Sequence, residues 1–167
     1  EDMDRGDAED NIFELFDSDS DIHARLRSFL DRDRNASGSF GATMQDGDTN
    51  TARLTQKGRG NMADLIQKGK GNVAVMVQRG DDNASSVLQD GSNNAYSSFL
   101  RGNNNETSVL QRGDNNTYAL DFIGNNLDHS FNQIGSNNVA VQIGVNYQPF
   151  GIQQIGNDMS ITIRHNQ

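Results

Sequence analysis

The three histidines of this chain, His23, His129 and His165, have no cysteine beside them, because the sequence contains none. No nucleophile stands at a spacing that would pair it with a base, and no phosphate-cradling loop is present. Asp81, Asp82 and Asp114 fall where acidic residues commonly make turns, and the Gly-Gly-x-Gly-x-Asp unit of calcium-binding β-rolls is missing. This points to no enzyme, no catalytic residue, no cofactor and no metal. What recurs is the carboxamide. Gln45, Gln56, Gln67, Gln78, Gln89, Gln111 and Gln133 interleave with Asn50, Asn61, Asn72, Asn83, Asn94, Asn105, Asn116 and Asn138. An amide carries both donors and acceptors and can bind a copy of itself on two sides. The chemistry on offer is self-recognition.

Such amides need a frame that brings like to like. A glycine stands two residues after each glutamine place, at Gly47, Gly58, Gly69, Gly80, Gly91, Gly102, Gly113, Gly124 and Gly135, one every eleven residues. The spacing then drops by two to Gly144 and rises by one to Gly156. Leu100 and Phe122 replace the glutamine, and Leu127, Tyr147 and Met159 replace the asparagine. Between asparagine and the next glutamine the residues alternate faces, as in Asn61-Met62-Ala63-Asp64-Leu65-Ile66-Gln67, where the odd positions share one side. The four residues x-Gly-x-x make the turn, and glycine serves there because a tight reversal asks for φ > 0.

Hairpins would set asparagine against glutamine, whereas a coil of two strands per turn stacks residues 22 apart. The unusual residues decide between them: Tyr96 with Tyr118, and Leu100 with Phe122, are each separated by 22. The expected fold is all-β, a two-sheet β-solenoid of about six rungs built from 11-residue strand-turn units. Rungs stack ~4.8 Å apart. A buried amide without partners costs ~1–3 kcal/mol, and a column of amides removes that cost at every level. Asn50, Asn72, Asn94, Asn116 and Asn138 form one expected column, Asn61, Asn83 and Asn105 another, and Gln67, Gln89, Gln111 and Gln133 a third. Leu65, Val87, Val109 and Phe131 make a thin apolar seam between them.

Composition agrees with an unusual core. Only 33% of the 167 residues are hydrophobic, proline occurs once and tryptophan not at all. The net charge of -9 argues against general nucleic-acid binding. Residues 1–38 hold twelve acids and five arginines, hence -7, leaving -2 for the rest. This divides the chain into an acidic N-terminal segment, 1–38, and a solenoid, 39–167. The segment is expected to be mostly disordered, serving as a tail, an export signal or a lid. One helix is expected in it, started by Ser18 and Asp21, with Ile22, Leu26, Phe29 and Leu30 on one face. No stretch approaches the ~20 apolar residues of a membrane helix, and a chain starting at Glu1 without a leader reads as a processed one.

The repeat resembles the curlin repeat: serine or asparagine, five residues, then Gln-x-Gly-x-x-Asn-x-Ala-x-x-x-Gln. The run Gln56-Lys-Gly58-Arg-Gly-Asn61-Met-Ala63-Asp-Leu-Ile-Gln67 fits every fixed place, and so does the run from Gln67 to Gln78. The resemblance covers roughly residues 39–167. It implies a bacterial functional amyloid of biofilms and adhesion, exported unfolded through an outer-membrane channel to cell-surface fibres. It also implies a companion subunit, this chain being preferred as the major subunit over the nucleator. The lost amides and the long acidic segment depart from the family pattern.

A solenoid ends in two open sheet edges that can template another strand. The last segment, Met159-Ser-Ile161-Thr-Ile163-Arg-His165, is strand-like and leaves little room for a cap, so growth end to end by edge templating is expected. The residue between glutamine and glycine is mostly cationic early and becomes Ile123, Ile134, Ile143 and Ile155 later. This corner, with Ile161 and Ile163, is a candidate interface; ordinary surface drift is the plain alternative. Outward Ile66, Leu88 and Leu110, and Val77 and Phe99, suggest lateral bundling or simple β-propensity. The rival function is a monomeric binding solenoid for ice or polysaccharide, and the irregular outward residues Thr51, Arg53, Thr55, Met62, Asp64 and Ile66 speak against it.

Overall fold

A computed structural model of the chain describes residues 38–145 and 150–165. It holds twelve strands: β1 Phe40–Asp46, β2 Thr51–Lys57, β3 Met62–Lys70, β4 Val73–Arg79, β5 Ala84–Ser92, β6 Ala95–Arg101, β7 Glu106–Arg112, β8 Thr117–Ile123, β9 Asp128–Ile134, β10 Val139–Val145, β11 Phe150–Ile155 and β12 Ser160–His165. Odd strands form one sheet in the order β1-β3-β5-β7-β9-β11, here sheet A, and even strands the other, sheet B. Every neighbouring pair is parallel. Residues 22 apart face each other, as in Phe40↔Met62, Thr51↔Val73 and Ala95↔Thr117. The described residues form a six-turn β-solenoid, and no helix occurs among them. The expected N-terminal helix and acidic segment lie outside them.

The alternation of the sequence sets the faces. Inward residues of the inner rungs are buried and outward ones are mostly not, so β6 runs Ala95 half-buried, Tyr96 buried, Ser97 exposed, Ser98 buried. The apolar core is a seam running through the rungs and includes Leu65, Met76, Val87, Tyr96, Val109, Tyr118, Phe122 and Phe131. Tyr96 stacks on Tyr118 and Leu100 on Phe122 in register. Two outward residues of β3 break the pattern: Asp64 and Ile66 are 3% and 1% exposed.

The register changes once. Phe150 faces His129 and Ser160 faces Val139, a separation of 21, so one residue is lost after β10. This corrects the expected glycine series. Gly144 is not a turn glycine but lies inside β10, buried, facing Phe122 and His165. It stands in the column of Gln56, Gln78, Leu100 and Phe122. With no side chain, it leaves room beside the Phe122 ring. The triplet Gln142-Ile143-Gly144 imitates the turn signature, and the strand wins because its pairing on both sides is kept.

Candidate assembly site

The turns hold the strands so that like amides coincide. Two places in each turn need the left-handed region. The first is the glycine, with φ from 98° at Gly69 to 156° at Gly124. A Cβ on Gly80 would collide with the carbonyl oxygen of Gly102 directly above, so close stacking forbids a side chain there as well. The second precedes the asparagine and is held by Gly60, Gly71, Asp82, Asn93, Asn104, Asn115, Asn126, Asn137 and Asp158, with φ near 57°. Asparagine, aspartate and glycine tolerate that conformation best. Thr49 adopts it too, at φ 58°, against the preference of a β-branched residue. The sequence reading overlooked this second column, although its run of glycine, aspartate and asparagine was the signal. The turns also carry a ladder of their own: Asp81, Asn103 and Asn125 side chains accept from the backbone N–H one rung below, at 2.7–2.8 Å.

The glutamines of sheet A form one unbroken column. The Nε2 of Gln45, Gln67, Gln89, Gln111 and Gln133 each donates to the Oε1 of the next glutamine, at 2.7–2.9 Å, the last to Gln154. Nε2 also donates to a backbone carbonyl of the facing sheet, as Gln67 does to Thr51 at 3.0 Å. That second bond fixes which amide atom is nitrogen, so the column has a direction. The asparagines run the other way. Asn72 donates its backbone N–H and its Nδ2 to Oδ1 of Asn50, and Asn94 does the same to Asn72. Asn138 accepts the N–H of Met159 at 3.1 Å, and Asn105 that of Leu127 at 3.0 Å, so both columns end on a residue with no side-chain amide to continue them. Asn61, Asn83 and Asn105 stack likewise.

In sheet B the glutamine column is short. Gln56 donates to Gln78 at 3.0 Å, and Gln78 turns instead to the Ser85 hydroxyl at 2.7 Å, because Leu100 follows. Beyond it an aromatic cluster fills the core. The Tyr118 ring lies 3.7 Å from that of Phe131, and its hydroxyl donates to Oε1 of Gln142 at 3.1 Å. His129 Nε2 lies 2.8 Å from the same hydroxyl, which places this histidine in a buried polar network.

The terminal rungs differ from the inner ones. Among the described residues no strand pairs beyond β1 and β2 at one end or β11 and β12 at the other. Most of their inward side chains are uncovered: Thr43 and Gln45 are exposed, and Leu54, Gln56, Ile152, Ile161 and Ile163 are half-buried, whereas Gln154 is fully buried. The equivalent inner residues Val87, Gln89, Met76 and Gln78 are fully buried.

The isoleucine corner is not one surface. Ile134 and Ile155 close strands of sheet A on one edge of the solenoid, and Ile123 closes a strand of sheet B on the opposite edge. Ile143 is not at a corner at all: it is an outward residue of β10, 43% exposed, between Asp121 and Arg164. The one-residue shift puts Val145 in the corner place beside Ile123.

Parallel rungs, stacked amides and left-handed turn columns define a two-sheet β-solenoid repeat protein. Residues 39–69 match the family model of the curlin associated repeat. The chain therefore carries the curlin repeat, and repeat and fold together fit a curli-like subunit. No curated protein and no solved structure matches the chain.

Proposed function

We propose that the chain is the subunit of a secreted, curli-like functional amyloid that grows by adding copies end to end. The observation that carries this is the complementarity of the two terminal rungs. Gln154, itself fully buried, spends one Nε2 proton on the Val139 carbonyl at 3.4 Å and keeps a second that a further glutamine in the column could accept once that side chain is uncovered. Gln45 offers an Oε1 with no glutamine below it. A second copy placed head to tail would continue that column with donor meeting acceptor. The Asn157 N–H would meet Oδ1 of Asp48, repeating the bond from Ser136 N–H to Asn157. A copy placed tail to tail would set donor against donor. Burial of Ile152, Ile161, Ile163 and Leu54 would add roughly 25 cal/mol per Å² of apolar surface covered.

In this reading residues 39–167 are the polymerising domain, and Gln45, Gln154, Ile161 and Ile163 belong to the growing faces. The companion subunit, the outer-membrane channel and the extracellular, cell-attached location follow from the family resemblance, which fits a major subunit or a nucleator; the major role is the preferred one. The test is seeded growth of the purified full chain, followed by thioflavin fluorescence and fibre diffraction. Self-seeded elongation with a meridional reflection at ~4.8 Å is expected. A chain that stays monomeric in the presence of its own seeds would favour the monomeric binding solenoid instead. A chain that only shortens the lag of another subunit would be the nucleator.

A further inference from the structure

The two outer faces of the solenoid are unlike. On sheet A the middle and late strands present Glu106, Ser108, Asp128, Ser130 and Asn132, a mostly polar surface broken by half-buried Leu88, Leu110 and Ile134 and, at one edge, by exposed Ile155. On sheet B two strands present apolar side chains alone along most of their length: Val73, Val75 and Val77 on β4, and Val139, Val141, Ile143 and Val145 on β10. Val73, Val139, Ile143 and Val145 are 42%, 39%, 43% and 41% exposed, which is high for large aliphatic groups in ordered strands. Between the stripes lie Phe99 on β6 and Asp121 on β8, which face each other in register. The guanidinium groups of Arg79 and Arg101 sit 5.2 and 4.3 Å from the centre of the Phe99 ring.

We infer that the outer face of sheet B is a lateral pairing surface whose occupant is the same face of a second copy, in a neighbouring fibre. The face is self-complementary about a two-fold axis lying along the strands midway between β6 and β8. That operation sets β4 on β10 and β10 on β4, with Val73 against Val139, Val75 against Val141 and Val77 against Ile143. Such a reciprocal arrangement is what an isologous contact requires. It also brings Asp121 onto the partner's Phe99 position, between two guanidinium groups, so charge and shape agree at the centre of the patch. In an isolated pair the like charges Arg53 and Arg164 fall at the rim, where water screens them; in a filament β12 of one copy adjoins β2 of the next, and there these charges weaken the contact.

Area decides when the surface acts. Six strands at ~4.8 Å and seven residues at ~3.3 Å give a face of roughly 650 Å² per copy. A pair of single molecules would bury roughly 1,300 Å² in total, the low end of specific interfaces at about 1,200–2,000 Å². Fibres multiply that contact by every subunit in register. Pairing is therefore weak between free chains and strong between filaments, so it follows elongation.

This inference rests on the end-to-end reading, and the experiment separates the two. Fibres of the full chain are compared with those of Val75→Lys/Val141→Lys and of the milder, β-compatible Val75→Thr/Val141→Thr. The readouts are filament width by electron microscopy and elongation rate by thioflavin fluorescence. Paired filaments for the native chain and single ones for both variants, with elongation within about two-fold, are expected. Asp121→Arg should also separate filaments, and adding Arg101→Asp should restore pairing. Native filaments that are single, or variants that pair as well as native, overturn the inference. If the native chain forms no fibres, the end-to-end reading fails alone, and sedimentation of the soluble chain judges the face. A dimer lost in both valine variants would uphold it, and a monomer at about millimolar concentration would overturn it.

Discussion

Replacing Gln111 by leucine cuts the longest amide column while nearly keeping side-chain volume. Gln111 is fully buried. Its Oε1 accepts from Gln89 at 2.9 Å, and its Nε2 donates to Gln133 at 2.9 Å and to the Ala95 carbonyl at 3.1 Å. Leucine leaves one proton of Gln89 and the Oε1 of Gln133 without partners, and both residues are themselves fully buried. Each stranded group costs about 1–3 kcal/mol, and the gain from a more apolar side chain offsets about 1 kcal/mol. The expected net loss is about 1–5 kcal/mol. Gln45→Leu is the matched control: it removes one bond, at 2.7 Å, from an exposed position. It strands one buried group, the Oε1 of Gln67, instead of two, so it should cost about half as much as Gln111→Leu and should also slow elongation, because Gln45 lies on the joining face. Urea unfolding of freshly desalted chain, followed by far-UV circular dichroism and extrapolated linearly, measures both. A loss below about 1 kcal/mol for Gln111→Leu, or equal losses at the two sites, refutes the argument that stacked amides hold the rungs.

Three other outcomes are expected. Gly80→Ala combines a φ of 122° with a collision against the Gly102 carbonyl; it should lower stability by more than the about 1–2 kcal/mol of left-handed strain alone, read as a lowered urea midpoint. Thr49→Gly relieves a β-branched residue at φ 58° and should raise the same midpoint by the equivalent of about 1 kcal/mol. Asp64 carries a pH dependence. Burial pushes its carboxyl up to about 7, and the Ser86 hydroxyl, 3.4 Å away, offsets part of the rise. A carboxyl whose folded pKa is raised stabilises the fold fully below its unfolded value of 3.8, and that stability is lost as pH climbs through about 7. The full chain should lose up to about 4 kcal/mol between pH 4 and pH 8, and Asp64→Asn should flatten the profile. An unchanged slope in that variant would count against the assignment.

The winding was legible because the chain repeats its exceptions as well as its rule. Tyr96 over Tyr118 and Leu100 over Phe122 pointed to 22 residues per turn, and those residues pair in the two-sheet solenoid. What escaped the sequence reading was local. Gln142-Ile143-Gly144 has the letters of a turn, but the net loss of one residue falls after Val145, and only strand pairing reveals where the frame shifts. The same slip put Ile143 in a corner it does not occupy and hid Val145. Corner residues eleven apart were read as neighbours, although a two-strand coil sends them to opposite edges. The second left-handed turn column was missed because three residue types share it, and no single letter marks a backbone angle.

Glutamine and asparagine columns run in opposite senses, and this bears on length. In a stacked array whose dipoles all point one way, each added layer enlarges the separation of charge between the extremities, as in an α-helix. Here the carbonyls of Gln67, Gln89 and Gln111 face the first rung, while those of Asn72, Asn94 and Asn116 face the last. The opposed amides work against one another at the levels that carry both. A filament built on this pattern can lengthen without accumulating an electrostatic penalty from its side-chain stacks, so nothing in them sets a natural stopping length.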